Sequence, residues 1–333
     1  MRDYLQKAGA KVILTRDKDS TIPLIERSRL ANESGSDIFI SVHHNALGNN
    51  DHVTNYTSTW YHAYEGHKEY NPCNHDIAKY IQRDLAYVMG NSGSLGSFDG
   101  TMSDYTVYPN SGFSVLRNAK IPAALIEGSF FSSYYEEQRL IIPEFNEIQA
   151  WGIFRGLGKY LKAEIPKLES LSELKFENNQ PEIKIQVDSK QDIKKNSIQV
   201  FIDNKENNYK YDDNKKVISI IPDTILNNGD HLLDVVVENK NGNHSFPFRK
   251  IFKIAPKAAS LKLEIFPSSI PPDKNAIAIA KVKVMDSNNN PVADSAIVDF
   301  KISSGQIGSH GFTKDGIVSV YIYAPGNESI AII

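Results

Sequence analysis

Asp37-Ile38-Phe39-Ile40-Ser41-Val42-His43-His44-Asn45-Ala46 is the stretch on which the fold turns. Ile38 to Val42 is too short for a buried helix, is rich in β-branched and aromatic residues, and follows a polar turn at Glu33-Ser34-Gly35-Ser36. A nearly unbroken apolar run of this length predicts a strand covered on both faces, as in a parallel sheet. It ends in two histidines and an asparagine. Ligands of open α/β sheets bind outside the carboxyl ends of the strands, so this polar end is a candidate site. A second strand closes in the same manner: Ile121-Pro122-Ala123-Ala124-Leu125-Ile126-Glu127-Gly128 is apolar until it reaches a carboxylate. An imidazole and a carboxylate at two strand ends form the chemical core of the chain.

Upstream, Arg2 to Lys7 reads as the last turns of a helix, and Lys11-Val12-Ile13-Leu14-Thr15 as a short buried strand. Leu24 to Asn32 reads as an amphipathic helix with Leu24, Ile25 and Leu30 inward. Downstream, Thr57 to Tyr64 has strand character. Cys73 to Met89 is a strong helical pattern, because Ile77, Tyr80, Ile81, Leu85 and Val88 recur at spacings of three and four. Gly90 to Gly100 is a glycine- and serine-rich loop, and Phe113 to Leu116 is a short strand or a helical turn. Glu136 to Leu161 again suits helix, interrupted near Pro143. Strands and helices in this order predict an α/β domain with crossovers over residues 1–165.

Composition changes after Pro166, where Asn, Lys and Asp rise and short strands replace helices. Residues 166–180 read as a linker, 181–256 as an all-β sandwich with hairpin turns, and 259–333 as a second β domain that lacks strands for completeness. Two or three domains suit a chain of 333 residues, since domains typically hold about 100 to 150. The formal net charge of −3 predicts no bulk attraction to nucleic acid or anionic membranes. Cys73 is the single cysteine, which excludes an intramolecular disulfide framework. No apolar run approaches the roughly 18 residues of a transmembrane span. No signal peptide is visible at Met1.

Two separated motifs carry a resemblance. Val12-Ile13-Leu14-Thr15-Arg16, then Leu24 and Arg27 with Ala31-Asn32, then Asp37 to Ala46 form the first. Val115-Leu116-Arg117 with Ile121 to Ser133 forms the second. In this order and spacing they resemble the zinc-dependent N-acetylmuramoyl-L-alanine amidases, enzymes of bacterial peptidoglycan. The resemblance spans about Met1 to Leu161. The tail resembles bacterial immunoglobulin-like domains, and Asp286 to Val292 with Gly305 and Gly316 resembles their invasin-like type.

The resemblance implies a mostly parallel sheet with helices on both faces, followed by two immunoglobulin-like sandwiches. It implies hydrolysis of the amide between N-acetylmuramic acid and L-alanine, peptidoglycan as partner, and a secreted, periplasmic or wall-associated protein. It also implies a Zn²⁺ ion with His43 as one ligand and Glu127 as general base. The family's first strand, its ligand histidine and its ligand glutamate are expected upstream of Met1, together with a signal peptide. A zinc site of this kind uses three protein ligands plus water, so a lone His43 is expected to hold the ion poorly.

Plainer alternatives stand beside each role. His43 also reads as a histidine that caps a strand end. Arg117 is a candidate to orient a carboxylate or the substrate, and otherwise a solvated or ion-paired arginine. Arg16 reads as structural, His44 as a support, and Asn45 as a loop-fixing side chain. His52, His62, His67 and His75 lie between the motifs, and His231, His244 and His310 lie in the tail, without a compact ligand spacing. A glycosidase using Glu127 with Asp104 is a third class. The alternative to an enzyme is a non-catalytic wall-binding or surface protein with a degenerate amidase domain.

Overall fold

The structure of the protein, a computed structural model, describes residues 1–48, 50–67, 69–91 and 100–333, with the side chain of His67 left out. Most of the glycine-rich loop read at Gly90 to Gly100 lies outside the described residues. The chain divides into two compact units. One holds Met1–Leu168 with Asp188–Ile198 and Val236–Pro247, and the other holds Glu169–Val187, Gln199–Val235 and Phe248–Ile333.

The first unit contains helices α1 (Arg2–Lys7), α2 (Leu24–Glu33), α3 (Pro72–Met89), α4 (Ser114–Arg117), α5 (Tyr134–Leu140) and α6 (Pro143–Lys162). Its strands are β1 (Phe39–Asn45), β2 (Ser58–Tyr61), β3 (Thr101–Ser103) and β4 (Ala123–Phe130). Proline at the start of α3 and of α6 sits where a missing N–H does no harm, and Pro143 accounts for the break between α5 and α6.

The sheet runs β1-β4-β2-β3. β1 lies parallel to β4 and β2 parallel to β3, but β2 and β4 are antiparallel. The sheet is therefore mixed rather than mostly parallel. Its two faces are both covered, because residues alternate along β4. Ala124 and Ile126 pack with Ile77, Ile81 and Leu85 of α3 and Ile153 and Leu157 of α6. Ala123 and Leu125 pack with Phe39, Trp60, Val115 and Leu116, and with Ala31 of α2.

Two expectations fail at the β1 edge. Lys11 to Thr15 forms no strand, and Ile13 and Leu14 stand 40% and 41% exposed. A strand needs a neighbour for its backbone groups, and β1 is bonded only to β4. Likewise α2 forms, but Leu24 and Ile25 are half exposed while Ser28 and Ala31 are the buried side.

The stretch read as a linker carries two short strands, Lys167–Ser170 and Lys175–Phe176. They join the two sheets built from Ile183–Asp188, Val217–Ile220, Gly229–Val236 and Phe248–Ile254 with shorter partners. Alternation along these strands buries one face of each, as Ile183, Ile185 and Val187 show. Residues 260–323 form a four-stranded and a two-stranded sheet around Val282, Val284, Val298 and Val318. Strand Ser260–Phe266 is exposed throughout.

Part of the β-rich sequence folds with the first unit. Asn239 Nδ2 donates to the carbonyls of Ala163 and Glu164, and Asn243 Nδ2 to those of Tyr160 and Glu164. These bonds satisfy carbonyls that the C-terminal end of α6 leaves unpaired. Among the described residues no helix is long and apolar enough to cross a membrane.

Candidate active site

Parallel pairing sets the site. Phe39 lies beside Ala123, Ser41 beside Leu125, and His43 beside Glu127. Side chains of paired residues share a face, and successive ones alternate. Phe39, Ser41 and His43 therefore line the same face as Ala123, Leu125 and Glu127. That face begins in the apolar cluster around Trp60 and Leu116 and turns polar towards the carboxyl ends of the strands. Ser58 of β2 pairs with Glu127 from the other side. Past His43 the register slips, with Asn45 opposite Phe130, so β4 holds one extra residue.

Glu127 has a buried oxygen, Oε2, with no hydrogen-bond partner. Burial raises its carboxyl from 4.5 to about 7. An acid in that range exchanges a proton readily near neutral pH. His43 Nε2 is hydrogen-bonded to Ser41 Oγ at 3.0 Å. Its pKa is lowered, first by burial and then by the charges of Arg27, Arg16 and His44, so the imidazole is kept neutral. The two arginines are held in place. Arg16 Nη1 donates to the Ser20 carbonyl and Arg27 Nε to that of Ile22, each at 3.0 Å. Their influence on His43 was not readable from sequence spacing, because it arises from a loop and a helix folded over the strand end.

The other candidates are distributed as follows. His44 faces α6, where its Nε2 meets Gln149 Oε1 at 2.8 Å. Asn45 Oδ1 accepts from the Ala46 N–H at 2.8 Å, the loop-fixing role expected of it. Arg117 closes α4 and donates to the carbonyls of Ser111 and, at 3.4 Å, Gly112. The structure thus brings His43 and Glu127 together, while these bonds give Arg117 to the loop before α4.

Asp104 is fully buried. It accepts from Ala63 N at 3.1 Å and Phe113 N at 2.8 Å, and pairs with His62 Nδ1 at 2.9 Å. A side chain on Gly112, at φ +60°, would lie 2.4 Å from Asp104 Oδ2. Such an enclosed and saturated carboxylate has no place for a water or a sugar oxygen, which removes the glycosidase pairing of Glu127 with Asp104. His62 is likewise committed, and His75 bonds Glu69 and, at 2.9 Å, Thr101 Oγ1.

The zinc expectation is overturned. Among the described residues no group of three or more His, Cys, Asp or Glu side chains could hold a metal ion. Near His43 the donors are one imidazole, already bonded to a serine, and one carboxylate whose pKa burial has raised. Positive arginine charge next to them opposes a cation further. The residues present do not fit a Zn²⁺ centre.

Residues 1–159 match the family model described as N-acetylmuramoyl-L-alanine amidase. The germination-specific N-acetylmuramoyl-L-alanine amidase of Bacillus subtilis (strain 168) is 29% identical over 174 residues, which cover 48% of this chain and 65% of that protein. An uncharacterised cell wall amidase of Bacillus anthracis is 28% identical over 166 residues, 47% of this chain and 28% of that protein. The chain spans less than two thirds of the length of either relative. Among solved structures, an N-acetylmuramoyl-L-alanine amidase from Clostridium difficile 630 is similar at 26% identity and a TM-score of 0.40, over 49% of this chain and 80% of that one. Over residues 1–159 the chain is thus similar to N-acetylmuramoyl-L-alanine amidase domains.

Proposed function

We propose that the chain acts at the cell wall on peptidoglycan, hydrolysing the amide between N-acetylmuramic acid and L-alanine, with Glu127 as the proton-transfer group. One observation carries the reading: Glu127, inside an otherwise buried strand, has a buried oxygen that has no partner. An unpaired buried acceptor costs about 1–3 kcal/mol, a strain that a reacting water or substrate group relieves. The carboxylate takes a proton from water as the water oxygen bonds to the lactyl carbonyl carbon. The C–N bond then breaks, and the same proton passes to the departing alanine nitrogen. Glu127 needs to be ionised for the first step and protonated for the second, which suits a group near pH 7. His43, neutral beside it, leaves the carboxylate its charge. The β-rich second unit serves in this reading as immunoglobulin-like spacer modules.

A second reading is favoured because, among the described residues, no group of three metal-ligating side chains is present. In it the first unit binds the wall without cleaving it. Purified sacculi separate the two. The chain is incubated with them, new alanine amino termini are counted, and co-sedimentation is measured in parallel. Hydrolysis that falls about 100-fold or more in Glu127→Gln supports the first reading. Co-sedimentation without new termini, equal in both proteins, supports the second. Neither cleavage nor binding sinks both.

A further inference from the structure

The polar loops past β1 and β4 hold a pair of rings that the reaction does not use. His52 and Tyr134 stack with centroids 4.1 Å apart and planes 12° from parallel. The pair is fixed from several sides. His52 Nδ1 donates to the Ser132 carbonyl at 2.9 Å, and the Tyr134 N–H donates to the His52 carbonyl at 3.2 Å. The turn carrying His52 is pinned by Asp51, whose carboxylate accepts from the N–H groups of Val53 and Thr54 and the Thr54 hydroxyl. Those bonds hold its carboxyl down at about 2, so it is ionised. Two further bonds tie the loops together, Leu47 N to Ser132 Oγ at 3.1 Å and Phe131 N to the Asn45 carbonyl at 2.9 Å.

Tyr134 nevertheless remains 64% exposed. An aromatic side chain that is locked in place yet open to water loses little freedom when something flat lies on it. Its position matters too. His52 follows β1 and Tyr134 follows β4, the two strands that carry His43 and Glu127. Phe131, Tyr135 and Val53, all exposed, widen the apolar rim.

We propose that Tyr134, backed by His52, is a stacking platform for an N-acetylhexosamine ring of the glycan strand, a subsite that rests on the peptidoglycan reading above. A pyranose chair presents a flat face of C–H groups to an aromatic ring and keeps its hydroxyls at the edge. The ionised Asp51 accepts hydrogen bonds from such hydroxyls. Together with the exposed Glu137 it disfavours a phosphate-bearing ligand such as nucleic acid.

The test is titration of the whole chain with tetra-N-acetylchitotetraose, followed by calorimetry and by the tyrosine ring signals in NMR. The wild type binds, Tyr134→Phe binds alike, and Tyr134→Ala binds about tenfold more weakly. His52→Ala, which removes the backing ring, loses less. The thermal midpoint stays unchanged in Tyr134→Phe, which keeps the ring stacked on His52. No saccharide binding by the wild type, or equal binding by Tyr134→Ala, overturns the subsite. Sacculus cleavage on the same samples is read separately. Cleavage without Tyr134-dependent binding removes the subsite and keeps the function. Tyr134-dependent binding without cleavage or sacculus binding keeps the subsite and removes the function.

Discussion

Asp104 and Glu127 are the informative pair in the first unit. Asp104 is fully buried beneath the loop that precedes α4, and its oxygens are met by two backbone N–H groups and an imidazole. Glu127 is half-buried within β4, three residues before the strand ends at Phe130, and keeps a buried oxygen without a partner. Burial alone therefore does not capture what distinguishes the two carboxylates. Asp104 organises a loop by saturating its own acceptors. Glu127 is left in need of a donor beside a neutral histidine, and a substrate or water can supply one.

Removing the saturated group gives the largest effect on stability. Asp104→Ala strands two N–H groups and His62 in a dry interior, and the expected loss is about 3 kcal/mol. Chemical denaturation measures it. A loss below about 1 kcal/mol would show that water enters the loop and that the contrast with Glu127 is one of degree.

Substitution of Glu127 runs the other way and depends on pH. Its carboxyl stands at about 7 in the fold against an ordinary 4.5, so ionisation is unfavourable in the folded state. Below the ordinary value both states are protonated and no difference arises. As pH rises through the window to about 7 the wild type loses stability relative to Glu127→Gln, and the deficit is constant above it. With solvent screening of the exposed part taken into account, Glu127→Gln is more stable by about 1–2 kcal/mol at alkaline pH and equal at acid pH. Denaturation midpoints at both extremes decide this. A variant less stable than wild type at alkaline pH would mean that the Glu127 charge is paired.

Only the Glu127 side of this contrast was legible in the sequence, which offered Asp104 as a possible glycosidase carboxylate. Apolar runs that stop at His43 and at Glu127 put both groups on neighbouring strands, although β1 continues to Asn45 and β4 to Phe130, and the periodicity from Ile77 to Val88 marked α3. Pro143 marked the break between α5 and α6. What escaped depended on partners distant in the chain. Lys11 to Thr15 has a strand's composition, but its backbone finds no neighbour. The apolar side of α2 is as regular as a buried one, yet Leu24 and Ile25 meet solvent. The mixed direction of the sheet follows from how β2 enters it, which local pattern does not encode. Arg16 and Arg27 influence His43 through folding of the loop between them, and nothing local to either residue signals that.

The smallest expected effect lies where β-rich sequence joins the first unit, and it extends the comparison to a third carboxylate. Asp76 of α3 is buried and accepts from the His244 N–H at 2.8 Å and is hydrogen-bonded to His244 Nδ1 at 2.9 Å, with Lys79 at 3.3 Å. Like Asp104 it is satisfied, but one partner titrates. Burial by itself would lower the His244 pKa, and the bond and charge of Asp76, with Glu238 and Glu69, outweigh it and raise the ring above 6.5. Lys194 sits on Glu238 and tempers that contribution. The extra stability is fully present below the ordinary histidine value and is lost as pH rises through the raised one. Screening by the solvent that reaches the ring keeps it small. Hydrogen exchange of the amides between Asn239 and Pro247 should therefore quicken as pH rises above the ordinary histidine value, beyond the intrinsic base-catalysed rate, and His244→Gln should remove that excess. An excess that persists in the variant would assign the pH response to another group and leave Asp76 as inert as Asp104.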